Sequence, residues 1–73
     1  MLLTPEEIGR MVRATRKEKR VTQADLALTS GTGLRFLIEL EKGKPTCQIG
    51  RVLRVLQTLG VQVELTPPDQ GKR

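Results

Sequence analysis

Thr4, Thr22, Thr32 and Thr46 each stand just ahead of a run with helical periodicity, and Gly31, Gly43 and Gly60 stand behind the last three runs. Threonine is a favourable N-cap, and glycine most readily takes the left-handed conformation that closes a helix. The punctuation cuts the chain into four short helices. In the first, Thr4-Pro5-Glu6-Glu7 combines a cap, proline at the first helical position and a glutamate three residues after the cap. That is a capping box with both acids at the positive end of the dipole, and it predicts a helix to about Glu18 with Ile8, Met11, Val12 and Thr15 on one face. A second helix is expected from Thr22 to Ser30 with Leu26 and Ala27 inward. A third runs from Gly33 to Lys42, capped by Thr32 and stopped by Gly43 and Pro45. The fourth, capped by Thr46, carries the stripe Ile49, Val52, Leu53, Leu56 and Leu59.

What holds so short a chain together is the next question. With one cysteine, Cys47, and no histidine among 73 residues, neither an intrachain disulfide nor a Cys/His zinc site can form. Domains this small lean on such staples or on a partner subunit, so oligomerisation is the expectation. Residues 61–66, Val-Gln-Val-Glu-Leu-Thr, alternate apolar and polar and read as a strand. A lone strand needs a second edge, and the same strand of a second copy, antiparallel across a two-fold, supplies it. Val61, Val63 and Leu65 then face the body or the partner, while Gln62 and Glu64 point outward. The alternative is a merely extended C-terminus. The expected organisation is a helical domain over 1–60, a dimerising strand over 61–66 and a flexible tail over 67–73 that begins at Pro67-Pro68.

Composition narrows the function classes. Without histidine the commonest general base is missing, and the chain has little room to bury a substrate, so no catalytic residue, cofactor or metal is expected. Cys47 reads as a small buried hydrophobe rather than a reactive thiol. The net charge of +5 suits a polyanion, and residues 10–20 hold six basic side chains against Glu18 alone. A solvated helix end is the plain alternative for that run. One aromatic, Phe36, argues against nucleic-acid binding by base stacking. No apolar stretch approaches a membrane span and Met1-Leu2-Leu3 is too short for a signal peptide, so a soluble, intracellular chain is expected.

The second and third helices, joined by a tight glycine-containing turn, have the helix-turn-helix arrangement. Two threonine caps would present two helix N-termini to phosphate. With Phe36, Leu37, Leu40 and Glu41 inward, the third helix turns Leu34, Arg35, Ile38, Glu39 and Lys42 outward, a poor solvent face but a reasonable major-groove face.

Arg16-Lys17-x-x-x-Val21-Thr22-Gln23-x-x-Leu26-Ala27-x-x-x-Gly31, followed by Phe36-Leu37-x-x-Leu40-Glu41-x-Gly43-Lys44, resembles the phage-repressor-like (Cro, Xre) helix-turn-helix family. The segments 31–37 and 39–46, then Val52-Leu53 to Leu59-Gly60-Val61, are most similar to the HipB-type antitoxins. The resemblance covers about residues 5–66. It implies a lambda-repressor-like all-α bundle whose C-terminal strand forms an intersubunit sheet. It implies that Thr22 and Gln23 meet a phosphate, that Gln23 braces the recognition helix, and that Arg16 and Glu41 form a buried ion pair. Gly33, Leu34 and Arg35, with Thr32 ahead of them, fall at base-reading positions, Glu39 lies one turn deeper, and Lys42 and Lys44 reach the backbone. Gly33 replaces a residue that often hydrogen-bonds a base, and Ile38 replaces a small polar one.

The function so implied is sequence-specific repression of double-stranded DNA by a homodimer. The resemblance adds the antitoxin role in a type II toxin–antitoxin module: neutralising a HipA-like Ser/Thr kinase and repressing its own operon, in the bacterial cytoplasm and on the nucleoid. A phage or plasmid repressor without a toxin is the alternative within the class. A small basic structural RNA-binding protein is the alternative outside it. Arg51 and Arg54, three residues apart on one helical face, either suit an acidic patch on a partner or simply keep the fourth helix soluble.

Overall fold

The computed structural model describes residues 3–69, so Met1, Leu2 and the end of the expected tail, residues 70–73, lie outside it. Four helices follow in order: α1 (Pro5–Glu18), α2 (Gln23–Ser30), α3 (Leu34–Glu41) and α4 (Ile49–Leu59). At α1 the expected capping box forms in full, the Thr4 hydroxyl accepting from the Glu7 amide and the Glu7 carboxylate accepting from the Thr4 amide, each at 3.1 Å. Thr22 caps α2 by accepting from the Asp25 amide at 3.0 Å, and Gly31 closes α2 in the left-handed conformation.

Each helix sends one side chain to the centre: Val12, Leu26, Leu37 and Val55 are the fully buried ones. Ala27, Leu40, Val52, Leu56 and Leu59 complete the core, with Ile8, Met11, Val21, Phe36, Cys47 and Val61 packed at its edge. Burying each large aliphatic side chain stabilises by about 1.5–3 kcal/mol, so the fold rests on this small cluster. Gly9 lets α1 approach α3. A Cβ there would sit 2.5 Å from the Leu40 carbonyl oxygen and 2.8 Å from that of Glu41.

The structure corrects three expectations and leaves a fourth, the C-terminal strand, unformed in the single chain. Thr32 does not cap α3. Gly33 takes the cap position at φ 89°, and Thr32 turns inward, its amide donating to the Ala27 carbonyl and its hydroxyl lying 2.9 Å from that of Ser30. Thr46 does not cap α4, because a turn at Pro45-Thr46 delays the helix and leaves Gln48 at the cap position without a side-chain bond. The α4 stripe is rotated toward Val55, absent from the expected set, so that Ile49 and Leu53 end up exposed. Residues 61–66 form no strand, and 61–69 carry no regular secondary structure, because no second edge is within reach of the single chain. Val61 docks on the core, its amide donating to the Leu56 carbonyl at 2.9 Å, whereas Val63 and Leu65 are exposed.

Candidate nucleic-acid interface

The site is built outward from a buried ion pair. Arg16, on the last turns of α1, donates from Nε to Glu41 Oε2 at 2.7 Å and from Nη2 to Glu41 Oε1 at 3.1 Å. Its third contact, from Nη1 to the Val21 carbonyl at 2.9 Å, ties the same guanidinium to the α1–α2 loop. Gln23 Nε2 donates to the remaining side of Glu41 Oε1 at 3.0 Å. The side chains of Arg16 and Glu41 keep only 9% and 3% of their surface in water. The hydrogen bond and charge of Glu41 raise the Arg16 pKa further above its already high ordinary value, against the lowering effect of burial. One carboxylate at the end of α3 thus holds α1, the loop and the first residue of α2 in fixed register. Gln23, the first residue of α2, is thereby joined to the last residue of α3.

On this frame α3 presents its outer face. At roughly 100° per residue, Arg35, Glu39 and Lys42 fall within about 60° of one another and point away from Leu37. The Arg35 side chain is 92% exposed. Leu34 is about half exposed, and Ile38 and Glu39 are partly buried. Lys42, the C-cap, is exposed. Lys44 folds back, its Nζ 3.0 Å from Glu39 Oε1, and the Arg35 guanidinium lies 3.7 Å from Glu39 Oε2. Hydrogen bonding to Lys44 leads the causes that hold the Glu39 carboxyl below its ordinary range, with the charges of Lys44 and Arg35 adding to it. Glu39 is therefore a negative pivot that pre-orients two cations on an otherwise positive face. Gly33 opens onto empty space: a Cβ there would meet nothing within 4 Å. The structure thus brings Gly33, Leu34, Arg35, Glu39, Lys42 and Lys44 together on and beside one exposed face. Thr22 and Gln23 start the adjoining helix. Thr32 is withdrawn from the face, because its hydroxyl and amide are both engaged inside the protein.

Two cations of α4, Arg51 and Arg54, neighbour this face, a placement their spacing does not reveal. The Arg51 guanidinium lies over the Phe36 ring, 5.8 Å from its centroid, and Arg54 Nη1 approaches the Gly31 carbonyl at 3.5 Å. Their common helical face was readable from spacing; that it leans over α3 required the packing angle of α4. Cys47 is partly buried at the core edge, and desolvation pushes its thiol up despite the nearby charge of Lys44, which disfavours the reactive thiolate.

A left-handed glycine turn between two braced helices, the second bearing an exposed cationic face, defines a helix-turn-helix module. The chain is 50% identical over 70 residues to an uncharacterised helix-turn-helix transcriptional regulator, y4mF, of Sinorhizobium fredii, covering 96% of this chain and 92% of the relative. It belongs to that family of helix-turn-helix transcriptional regulators, which is not a family of enzymes. Among solved structures its fold is similar to that in a HipB–O4 20mer complex, with TM-score 0.81 and 18% identity over 93% of this chain and 96% of that one. A complex of a HipB point variant with an O2 20mer matches equally, with TM-score 0.81 and 19% identity over 93% of this chain and 94% of that one. No protein-family model matches the chain. Among the described residues no helix is long and apolar enough to cross a membrane.

Proposed function

We propose that the protein is a homodimeric repressor that binds double-stranded operator DNA with α3 in the major groove, and that it serves as the antitoxin of a HipA-like Ser/Thr kinase and represses its own operon. The observation that carries the reading is the exposed Arg35 on a recognition helix locked by the Arg16–Glu41–Gln23 network. A guanidinium held at that position can pair bidentately with guanine O6 and N7. Membership of a transcriptional regulator family and a fold like that in the HipB 20mer complexes support DNA binding. They also favour the bacterial cytoplasm, on the nucleoid, as its location. Lys42 and Lys44 contact the backbone, while Thr22 and Gln23 approach a phosphate at the start of α2.

The dimer is read from an apolar face. Leu3, Ile8, Met11, Ile49, Leu53 and Val63 border a continuous groove between α1, α4 and the C-terminal segment. Leu65, at its end, is 88% exposed. Pairing residues 61–66 with the same segment of a second copy satisfies one edge of each strand and covers this groove, with residues 67–73 as a tail beyond it. Duplex selection from a random library tests the DNA reading. The expected product is a two-fold site whose half-sites lie one helical turn, about 34 Å, or a multiple of it apart. Preference for single-stranded RNA over duplex would overturn it. Sedimentation tests the dimer: a chain lacking residues 61–73 should sediment as a monomer, and a tight dimer from that chain refutes the shared sheet. For the antitoxin role, a co-expressed kinase of the HipA type should co-purify with the protein and lose its toxicity. Failure of both leaves a repressor without a toxin.

A further inference from the structure

The two arginines of α4 lie beside α3 and the turn that precedes it. A straight α-helix with its side chains is about 10–12 Å across, close to the width of the major groove, so both flanks of a helix seated there face a phosphate wall. On α3 the flanks are distinguishable. Glu41 and Phe36 are separated by about 140° around the helix at roughly 100° per residue. Gln23 reaches α3 at Glu41, and Arg51 reaches it at Phe36. Arg54 lies further toward the helix start, against the Gly31 carbonyl in the turn that precedes α3. The start of α2 therefore attends one flank of the recognition helix and the middle of α4 attends the other.

We propose that Arg51 and Arg54 grip the sugar–phosphate backbone along the flank of α3 opposite Gln23, closing a two-sided clamp on the groove. This rests on the reading of α3 as the DNA-recognition helix. The alternative occupant, an acidic protein, is disfavoured by the division of α4. The midpoint of Ile49 and Leu53 lies about 150° around the helix from that of Arg51 and Arg54, and the two aliphatic residues border the apolar groove suited to a protein surface. The arginines occupy the other side, against the recognition helix and its turn. A guanidinium resting on a ring or a carbonyl remains free to donate its other N–H groups to phosphate oxygens.

The test uses the full chain with a double Arg51→Gln, Arg54→Gln variant and a charge-preserving Arg51→Lys, Arg54→Lys variant. Both are titrated against the selected operator and a mixed-sequence duplex of equal length over a range of salt. The glutamine variant should bind both duplexes more weakly by the same factor, keep the operator preference, and show a salt slope smaller by about 0.9 for each phosphate it no longer neutralises. The lysine variant should restore the slope. Circular dichroism and sedimentation exclude misfolding or monomerisation as the cause. An unchanged slope and affinity in the glutamine variant overturn the proposal, and loss of kinase capture by that same variant would then assign the arginines to a protein partner. If instead the unmodified protein binds neither duplex, the DNA reading itself fails, and the two failures are told apart.

Discussion

Removing one member of the Arg16–Glu41 pair is the sharpest probe of the architecture. Glu41→Ala abolishes both acceptor bonds to Arg16, at 2.7 and 3.1 Å, and the one from Gln23 at 3.0 Å. Arg16 keeps only its contact to the Val21 carbonyl, so a charge with 9% of its side-chain surface in water loses its counter-ion. Breaking a buried pair in this way costs about 3–5 kcal/mol. The lower end, about 3 kcal/mol, applies here because water lies one side chain away in so small a domain. A 73-residue domain has roughly 4–11 kcal/mol to lose, so Glu41→Ala should fold incompletely or unfold at much lower denaturant. The double variant Arg16→Met, Glu41→Leu leaves no orphaned charge and should recover most of the loss. Urea titrations followed by circular dichroism, at one fixed protein concentration so that the proposed self-association contributes equally to both, measure the two variants. A cost below about 1 kcal/mol for Glu41→Ala refutes the reasoning, since that is the worth of a surface pair. The recovered double variant should still bind DNA weakly, because Gln23 has lost the carboxylate that aims it.

Arg35→Ala should cost about 1–3 kcal/mol on the selected operator and relax discrimination at one base pair, whereas Lys42→Ala should weaken all duplexes alike and lower the salt slope by about 0.9. Equal loss on random DNA and operator for Arg35→Ala removes its base-reading role. Gly9→Ala should destabilise by about 1–3 kcal/mol in the same urea titration, because the new methyl meets two backbone carbonyls that cannot turn aside. The Glu39 carboxyl should titrate below the ordinary carboxylate range by carbon-detected NMR and move up in Lys44→Ala. Because its folded-state pKa is depressed, the stabilisation from its cation contacts is present above the ordinary carboxylate pKa and is lost as pH falls through the folded one. A Glu39 titration unmoved by Lys44→Ala would assign the shift to another source.

Local chemistry was legible wherever a residue acts on its own chain within one turn. The Thr4 and Thr22 caps, the Gly31 stop, and the extents of α1 and α2 depend on hydrogen bonds three or four residues long, which sequence encodes directly. The inward residues Val12, Leu26, Leu37 and Leu56 followed from periodicity for the same reason. Thr32 and Thr46 failed as caps because tertiary packing overrode local preference: a buried Ser30–Thr32 contact claimed one hydroxyl, and the Pro45-Thr46 turn displaced the other. Arg16, Gln23 and Glu41 were named from a resemblance, since nothing in their spacing reveals that they meet. Their juxtaposition depends on how α1, α2 and α3 cross. The closeness of Gly9 to α3, the tilt of α4 that buries Val55 and exposes Leu53, and the placing of Arg51 over Phe36 depend on interhelical distances of a few ångströms. Such distances are set by the volumes of all the packed side chains together, so a periodic pattern read along one helix can say which face turns inward but not what it will touch.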